Sequence, residues 1–265
     1  MTRAAMGSGS DGRTRLASGA ATLAALGVLW YLVTMVTQAI PAIYFPTPAE
    51  VARAARQIAL QGYADGRLHA HFLHSCQLVL FGFCAAVIVG APLGMLMGAS
   101  RRAEALVNPT FLLLRPIPPL AWIPLAIVWL GLGDAAKVLV IWFAAFVPAV
   151  INSYAGVRAI EPHLIEAART LGVPRWMVVR EVLFPGALPL IFTGLRLSLQ
   201  ACWTTLVAGE LIGAIAGLGH VLYQAGLDLY PAMIVVGMAG VAVAGGLMTA
   251  VLAWAETRSM PWRAA

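Results

Sequence analysis

The chain has 265 residues, of which 61% are hydrophobic and only 11% are charged. Soluble globular domains are about half apolar and about one quarter charged, so this composition excludes an ordinary water-soluble fold and indicates a membrane protein. The net charge of +6 is compatible with nucleic-acid binding, but in a membrane protein it indicates Arg-rich cytoplasmic loops.

Six windows of about 20 residues are apolar enough to cross roughly 30 Å of hydrocarbon as helices. They are residues 16–38, 72–98, 107–131, 136–157, 189–213 and 230–255. The first superficially resembles a secretory signal, but its run of 22 residues, Leu16 to Thr37, exceeds the about 7–15 residues of a signal core. We therefore predict an all-α membrane protein with six transmembrane helices over 16–265, preceded by a tail of residues 1–15.

The distribution of Lys and Arg predicts the orientation, because cytoplasmic loops carry the excess. With the N-terminus inside, eleven of the 17 basic residues face the cytoplasm: Arg3, Arg13, Arg15, Arg101, Arg102, Arg158, Arg169, Arg175, Arg180, Arg258 and Arg263. Four face outward: Arg53, Arg56, Arg67 and Lys137. Arg115 and Arg196 lie within spans or at their ends. Both termini are therefore predicted to be cytoplasmic.

The longest predicted external segment, 41–70, contains a short amphipathic helix. Thr47 is placed as its N-cap, Pro48 as its first residue, and Glu50 completes a capping box. The helix is predicted over Pro48 to Leu60, lying along the outer surface. Its apolar face is predicted to contain Val51, Ala55 and Ile58.

The longest predicted internal loop, 158–188, reads as a helical hairpin. Pro162 lies in the first turn of one helix, Gly172 is placed to end it in a left-handed conformation, and Pro174 begins the second. Pro185 and Pro189 are predicted to end that second helix. The predicted apolar faces are Leu164, Ile165, Ala168 and Leu171 in the first helix and Trp176, Val179 and Leu183 in the second.

Within this loop, Glu166-Ala167-Ala168 is followed after three residues by Gly172 and after nine more by Val182-Leu183-Phe184-Pro185. This run resembles the EAA motif of ABC importer permeases, with Val and Phe in place of Ile and Leu. The resemblance implies a type I permease fold. It also implies that the hairpin contacts a separate ATPase, with Glu166, Ala167, Ala168, Gly172, Pro174, Arg175 and Pro185 as the coupling residues.

An alternative interpretation of the same residues is a DNA-binding helix-turn-helix, with Gly172 in the turn and basic residues on the second helix. Such modules need a third packing helix and normally lie at a chain terminus. This segment is instead tied to predicted spans at both ends. We therefore expect a membrane permease without a nucleic-acid partner.

A second resemblance extends over most of the chain, from about Pro46 to Trp262. The segment Arg115 to Asp134, which begins RPIPPLAW, is similar to permeases for taurine, alkanesulfonates, nitrate and related small anions. The segments from Thr204 to Ile212 and Gly217 to Gly219 are similar too. The substrate expected by resemblance is taurine or another sulfonate; the same branch includes permeases for nitrate, aromatic acids and vitamin-precursor pyrimidines.

The resemblance also implies partners. These are two ATPase subunits, a second copy of the chain, a periplasmic or lipid-anchored substrate-binding protein, and the bilayer of a bacterial inner membrane. The chain has no Gly-x-x-x-x-Gly-Lys-Ser/Thr pattern, so ATP and Mg are expected on the ATPase and no cofactor or catalytic residue is expected here. An ion-gradient-driven transporter is the alternative, but such folds usually carry internal repeats and midplane acidic residues.

Several residues inside the spans are candidates for the translocation pathway. Arg115 either lines a central cavity that favours anions or extends to the headgroups, and Glu210 either belongs to an external gate or marks the membrane boundary. Prolines interrupt the third span, which points to the interior pathway or to a kink for packing. The candidates are Arg115, Pro118, Trp122, Trp203, Thr204 and Glu210, with packing as the alternative for Trp203 and Thr204.

Neither histidines nor cysteines predict a metal site. His69, His71 and His74 are closely spaced but lack a fourth ligand or a carboxylate cluster. Cys76, Cys84 and Cys202 lie in apolar runs without metal-ligand spacing. We expect the cysteines to be small buried hydrophobic residues.

Overall fold

The computed structural model describes residues 10–36, 44–211 and 214–263, and the described chain is helical. Its α-helices are α1 Ser10–Tyr31, α2 Pro48–Leu60, α3 Leu68–Ala99, α4 Arg101–Leu114, α5 Ile123–Leu130, α6 Asp134–Arg158, α7 Pro162–Thr170, α8 Arg175–Val178, α9 Phe184–Glu210, α10 Leu218–Leu227 and α11 Pro231–Ser259. A π-helical turn, Leu32–Val36, extends α1, and another, Val179–Leu183, joins α8 to α9. Of the predicted tail, residues 1–9 lie outside the described part.

Five of these helical runs in the described chain are long and apolar enough to cross a membrane. They are Ala17–Val36, Leu68–Ala99, Asp134–Arg158, Arg175–Glu210 and Pro231–Ser259. The remaining predicted span, the third (107–131), is formed by two helices, Arg101–Leu114 and Pro119–Leu130, that are bent by 84° at the break between them. The all-α architecture is therefore confirmed, with the third span broken.

The break in the third span has a covalent cause. Pro116, Pro118 and Pro119 lack backbone N–H groups, so an α-helix cannot continue through them. The chain instead forms a 3-10 turn over Pro119–Trp122 before α5 begins. Pro124 lies in the first turn of α5, where its missing N–H is tolerated.

The centre of the fold is the packing of α3, α6 and α9. Gly94 of α3 lies against α6 so closely that a Cβ atom there would be 2.3 Å from the Val150 carbonyl oxygen. Small residues permit this approach of two backbones, as in other membrane helix pairs. Ser198 of α9 adds a buried hydrogen bond by donating to the Ala145 carbonyl of α6 at 2.7 Å.

The predicted helix α2 is confirmed, with the predicted bounds. The Glu50 N–H donates to Thr47 Oγ1 at 3.3 Å, and the Thr47 N–H donates to Glu50 Oε2 at 2.8 Å, which completes the capping box. Ile58 is fully buried and Val51 and Ala55 are partly buried, as the pattern predicts. This apolar face packs against α10 and the beginning of α11.

Candidate functional site

The hairpin of α7 and α8, residues 162–183, is built around Gly172. Gly172 has φ +73°, so the predicted left-handed residue is confirmed. The N–H of Val173 donates to the Ala168 carbonyl at 3.1 Å, which is the bond of a Schellman motif at the end of α7. Because this bond spans the turn, the conformation of Gly172 fixes the direction in which α8 leaves α7.

One side of the hairpin packs against the membrane helices. Ala168, Val178 and Leu183 are buried, and they contact Val157 at the end of α6 and Ala187 and Ile191 in α9. Ile165 and Met95 of α3 complete this apolar cluster. The hairpin is therefore attached to three membrane helices, and a displacement of the hairpin would move their ends.

The predicted apolar faces of the hairpin are only partly correct. Ile165, Ala168 and Leu183 face the protein, but Leu164, Leu171 and Trp176 are 49%, 81% and 61% exposed. Val179 is also exposed. The free side of the hairpin thus combines large apolar side chains with exposed polar ones.

The prediction that Pro185 and Pro189 end the second helix is wrong. The helical run continues from Arg175 to Glu210, with Pro185 at the start of α9 and Pro189 inside it. In the π-helical turn before Pro185, the Phe184 N–H donates to the Val179 carbonyl, five residues back. This wider turn accommodates the missing N–H of proline, so the hairpin and the membrane helix form one body.

The coupling residues predicted by resemblance fall into two groups. Glu166, Ala167, Pro174 and Arg175 are exposed. Ala168 is buried and Pro185 is partly buried, so these two hold the hairpin rather than present a surface.

An open cavity of about 580 Å³ lies between the break in the third span, α6 and α9. Arg115 and Thr204, both predicted pathway residues, line it, and Asn152 and Gln200 add two amide side chains. The remaining lining residues are Val147, Pro148, Ile151, Leu197 and Ala201. Asn152 and Gln200 were missed, although both are polar residues inside predicted apolar spans, and that signal could have found them.

The family of the chain follows from comparison with known proteins. Residues 90–259, which contain both the hairpin and this cavity, match the family described as binding-protein-dependent transport system inner membrane component. The chain belongs to this family. It is the transmembrane permease component of an ABC transporter and is not catalytic.

Relatives of the permease are named for several different small solutes. It is 38% identical over 242 residues to the taurine transport system permease of Escherichia coli K12, covering 91% of this chain and 88% of the relative. It is 32% identical to a putative aliphatic sulfonates permease of Bacillus subtilis 168, covering 84% and 80%. It is 33% identical to a bicarbonate transport system permease of Synechococcus elongatus, covering 74% and 71%.

The fold is also that of a solved importer. An inward-facing structure of the MetNI methionine ABC transporter superposes with a TM-score of 0.59 at 24% sequence identity. The match covers 72% of the permease and 93% of the other chain. The type I importer fold expected from the hairpin motif is therefore confirmed.

The other predicted pathway residues of the permease do not line the cavity described above. Pro118 lies in the break of the third span, and Trp122 stacks on Phe143 with ring centroids 4.3 Å apart. Trp203 is buried in the core between α3, α6 and α9. Glu210 has no exposed surface, and its carboxylate is held inside the permease by hydrogen bonds.

The histidines and cysteines of the permease are dispersed. His71 bonds to the backbone of two other segments, whereas His74 lies 3.4 Å from Asp134. Within the described ranges, no three His, Cys, Asp or Glu side chains gather as a metal site. Cys202 is buried as predicted, whereas Cys76 is only partly buried and Cys84 is exposed.

Proposed function

We propose that the permease carries a small solute with an anionic group, taurine or another sulfonate, into the cytoplasm of a bacterial cell. In this proposal it works with two ATPase subunits, a second copy of itself and a substrate-binding protein outside the membrane. The ATPases bind ATP and Mg. The similarity to taurine and sulfonate permeases over more than four fifths of the chain supports the substrate class.

The position of Arg115 is the observation that carries this proposal. A guanidinium group inside a membrane is costly, by roughly 2.5–3.5 kcal/mol on insertion scales, and such residues usually face a water-filled cavity. Arg115 immediately follows α4, at the bend, and lines the cavity beside Gln200 and Asn152. Its planar fork of N–H donors matches the oxygens of a sulfonate, and the amides can donate further hydrogen bonds.

Thr204 contributes differently from these donors. Its hydroxyl donates to the Ala201 carbonyl at 3.0 Å, one turn back in α9. The Thr204 proton is therefore engaged within α9. In this arrangement the positive charge comes from Arg115. The donors come from Arg115, from Gln200 and from the second N–H of Asn152, whose first donates to the Pro148 carbonyl at 2.9 Å, while Thr204 forms part of the wall.

The exposed side of the hairpin supports the coupling role. Leu171 and Trp176 present apolar surface next to the exposed Glu166 and Arg175. Large apolar side chains beside charges are typical of a helix that fills a groove on a partner protein. We place this side, and both termini, in the cytoplasm, on the basis of the Arg and Lys distribution along the chain.

Uptake into proteoliposomes containing the permease, its ATPase and its binding protein tests the proposal. Arg115→Gln is expected to lower uptake of labelled taurine about 10- to 100-fold, because a hydrogen-bonded charge contributes about 1.5–3 kcal/mol. Arg102→Gln is the matched control, since Arg102 is exposed at the start of α4 and does not line the cavity. Arg115→Lys is less informative because it keeps the charge.

Two outcomes would contradict the proposal. Unchanged uptake by Arg115→Gln at a normal membrane level would place Arg115 at the headgroups rather than on the pathway. A binding protein that retains bicarbonate or nitrate but no sulfonate would contradict the proposed substrate. The similarity to the bicarbonate permease of Synechococcus elongatus makes bicarbonate the second candidate. Competition of taurine uptake by each anion distinguishes these cases.

A further inference from the structure

Glu210 is the centre of a buried hydrogen-bonded cluster that we call the Glu210 joint, formed by Glu210, Ser75, His71 and the backbone of residues 217–219. The Ser75 hydroxyl donates to Glu210 Oε1 at 2.8 Å, and the Gly219 N–H donates to Glu210 Oε2 at 2.7 Å. The side chains of Glu210, Ser75 and His71 are at most 1% exposed. The joint connects the end of α9, the first third of α3 and the N-terminus of α10.

Each polar group of the joint has a defined role. Ser75 Oγ accepts the Leu218 N–H at 2.9 Å while its proton goes to Glu210. His71 Nδ1 accepts the Gly217 N–H at 3.1 Å, so this ring nitrogen carries no proton. The other ring nitrogen, Nε2, then donates to the Tyr63 carbonyl at 3.0 Å. A buried cluster in which donors and acceptors match in this way is rigid.

The backbone around the joint is closely packed against Glu210. A Cβ atom on Gly217, which has φ +123°, would lie 2.0 Å from Glu210 Oε1. A Cβ on Gly219 would lie 2.6 Å from Glu210 Cβ. The first three N–H groups at the start of α10 are thus all bound by side chains of α3 and α9, and α10 cannot move without breaking these bonds.

Glu210 also stands at the end of the longest helical run of the described chain. This run starts at Arg175 in the hairpin and ends at Glu210, 36 residues later, which corresponds to roughly 50 Å of helix. On the far side of the joint, α10 packs through Val221 and Ala225 on α2 and α11. The hairpin and the α2–α10 layer therefore lie at opposite ends of one continuous helix.

We propose that Glu210 is a positioning residue that fastens α10 to α9, so that movement of the hairpin reaches the opposite face of the membrane. The mechanism rests on the proposed coupling role of the hairpin. Hydrolysis at the partner ATPase displaces the hairpin and α9 as one body. The joint then makes α10 and the α2 helix follow, which opens or closes the pathway at the face away from the hairpin.

The ratio of solute imported to ATP hydrolysed tests this proposal in the reconstituted complex. Glu210→Gln removes the charge and replaces one acceptor oxygen by an NH₂ donor, so the Gly219 N–H and the Ser75 hydroxyl, which also lies 3.1 Å from Oε2, must share the one remaining oxygen. Ser75→Ala removes the bond to Glu210 and leaves the Leu218 N–H unpaired. Both variants are expected to keep hydrolysis that is stimulated by the loaded binding protein, while import per ATP falls about tenfold or more.

Ser198→Ala is the matched control, because it removes a buried hydroxyl contact of the same helix, to the Ala145 carbonyl, away from the joint. Its import per ATP is expected to equal that of the wild type. A purely structural role of Glu210 would reduce the amount of assembled complex but not this ratio. Wild-type import per ATP by Glu210→Gln in assembled complexes would overturn the proposal.

If Glu210→Gln does not assemble, Ser75→Ala decides in its place, and a normal ratio of import to hydrolysis in that variant overturns the proposal.

The same assays distinguish failure of the proposal for the Glu210 joint from failure of the proposed coupling role of the hairpin. If the hairpin does not couple ATP hydrolysis to transport, Glu166→Lys in the hairpin leaves hydrolysis and import unchanged. If the joint alone fails, that hairpin variant loses stimulated hydrolysis while both joint variants keep a normal ratio.

Discussion

Replacing Gly172 measures how strongly transport depends on the turn of the hairpin. The residue has φ +73°, and a Cβ atom there would meet no heavy atom within 4 Å. The cost of Gly172→Ala is therefore backbone strain alone, about 1–2 kcal/mol for a left-handed residue. This corresponds to a depletion of the native turn by about 5- to 30-fold. A β-branched valine should cost more, and asparagine, which tolerates this conformation, should cost less.

The assay is ATP hydrolysis and uptake by the reconstituted complex, with and without loaded binding protein. We expect stimulated hydrolysis and uptake to decrease in the order Asn, Ala, Val, while membrane insertion stays normal. Gly131→Ala is the matched control, because Gly131 has φ +79°, also has open space around its Cβ position, and lies at the end of α5. Gly131 has ψ 174°, a conformation that is essentially restricted to glycine, so alanine there costs at least as much backbone strain as at Gly172, and the control should keep its coupling.

The outcome that would refute this reasoning is full coupled hydrolysis and uptake by Gly172→Val. The Schellman bond between Val173 and Ala168 would then be dispensable, and residues 161–185 would not be the coupling element. An equal loss in Gly131→Ala would show instead that backbone strain elsewhere in the permease also impairs assembly. Comparing the variants of the two glycines distinguishes a defect of the hairpin turn from a general defect in assembly.

Two further predictions concern the hairpin surface and the topology. Glu166→Lys should leave the hairpin folded, because Glu166 is exposed, yet abolish substrate-stimulated hydrolysis by reversing a charge at the ATPase contact. An acidic substitution on the ATPase is expected to restore part of the activity. Unaltered coupling in Glu166→Lys would exclude Glu166 from the contact. A cysteine at Ser10 or Arg175 should react only from the cytoplasm in sealed cells, and one at Asp65 from outside. Labelling of position 175 by an impermeant reagent from outside would contradict the predicted orientation.

Local rules predicted the features that depend on a few neighbouring residues. The capping box of α2 needs only Thr47 and Glu50 at the right spacing, and both hydrogen bonds are present. The left-handed Gly172 follows from a helix end between two prolines. The break in the third span follows from three prolines without N–H groups. In each case the cause lies within one or two turns of chain.

The apolar face of α8 was mispredicted because the helix changes its period there. A uniform 3.6-residue period places Val179 and Leu183 on one face, four residues apart. In the π-helical turn, residues five apart lie above one another, so Val178 pairs with Leu183 in the buried cluster and Val179 points outward. The same wider turn lets the helix pass Pro185. The π-helical turn therefore explains both the mispredicted apolar face and the mispredicted end of the helix.

Polar residues inside the apolar spans of this permease occupy two different environments, and the sequence alone does not distinguish them. Gln200 and Glu210 lie in the same helix, yet Gln200 lines the open cavity and Glu210 is enclosed. The difference arises from Ser75, 135 residues away, whose hydroxyl meets the carboxylate. A buried carboxylate is tolerated only where such partners satisfy it, so its presence implies a precise junction between helices. Gln200 needs no such junction, because its amide lies on the wall of an open cavity.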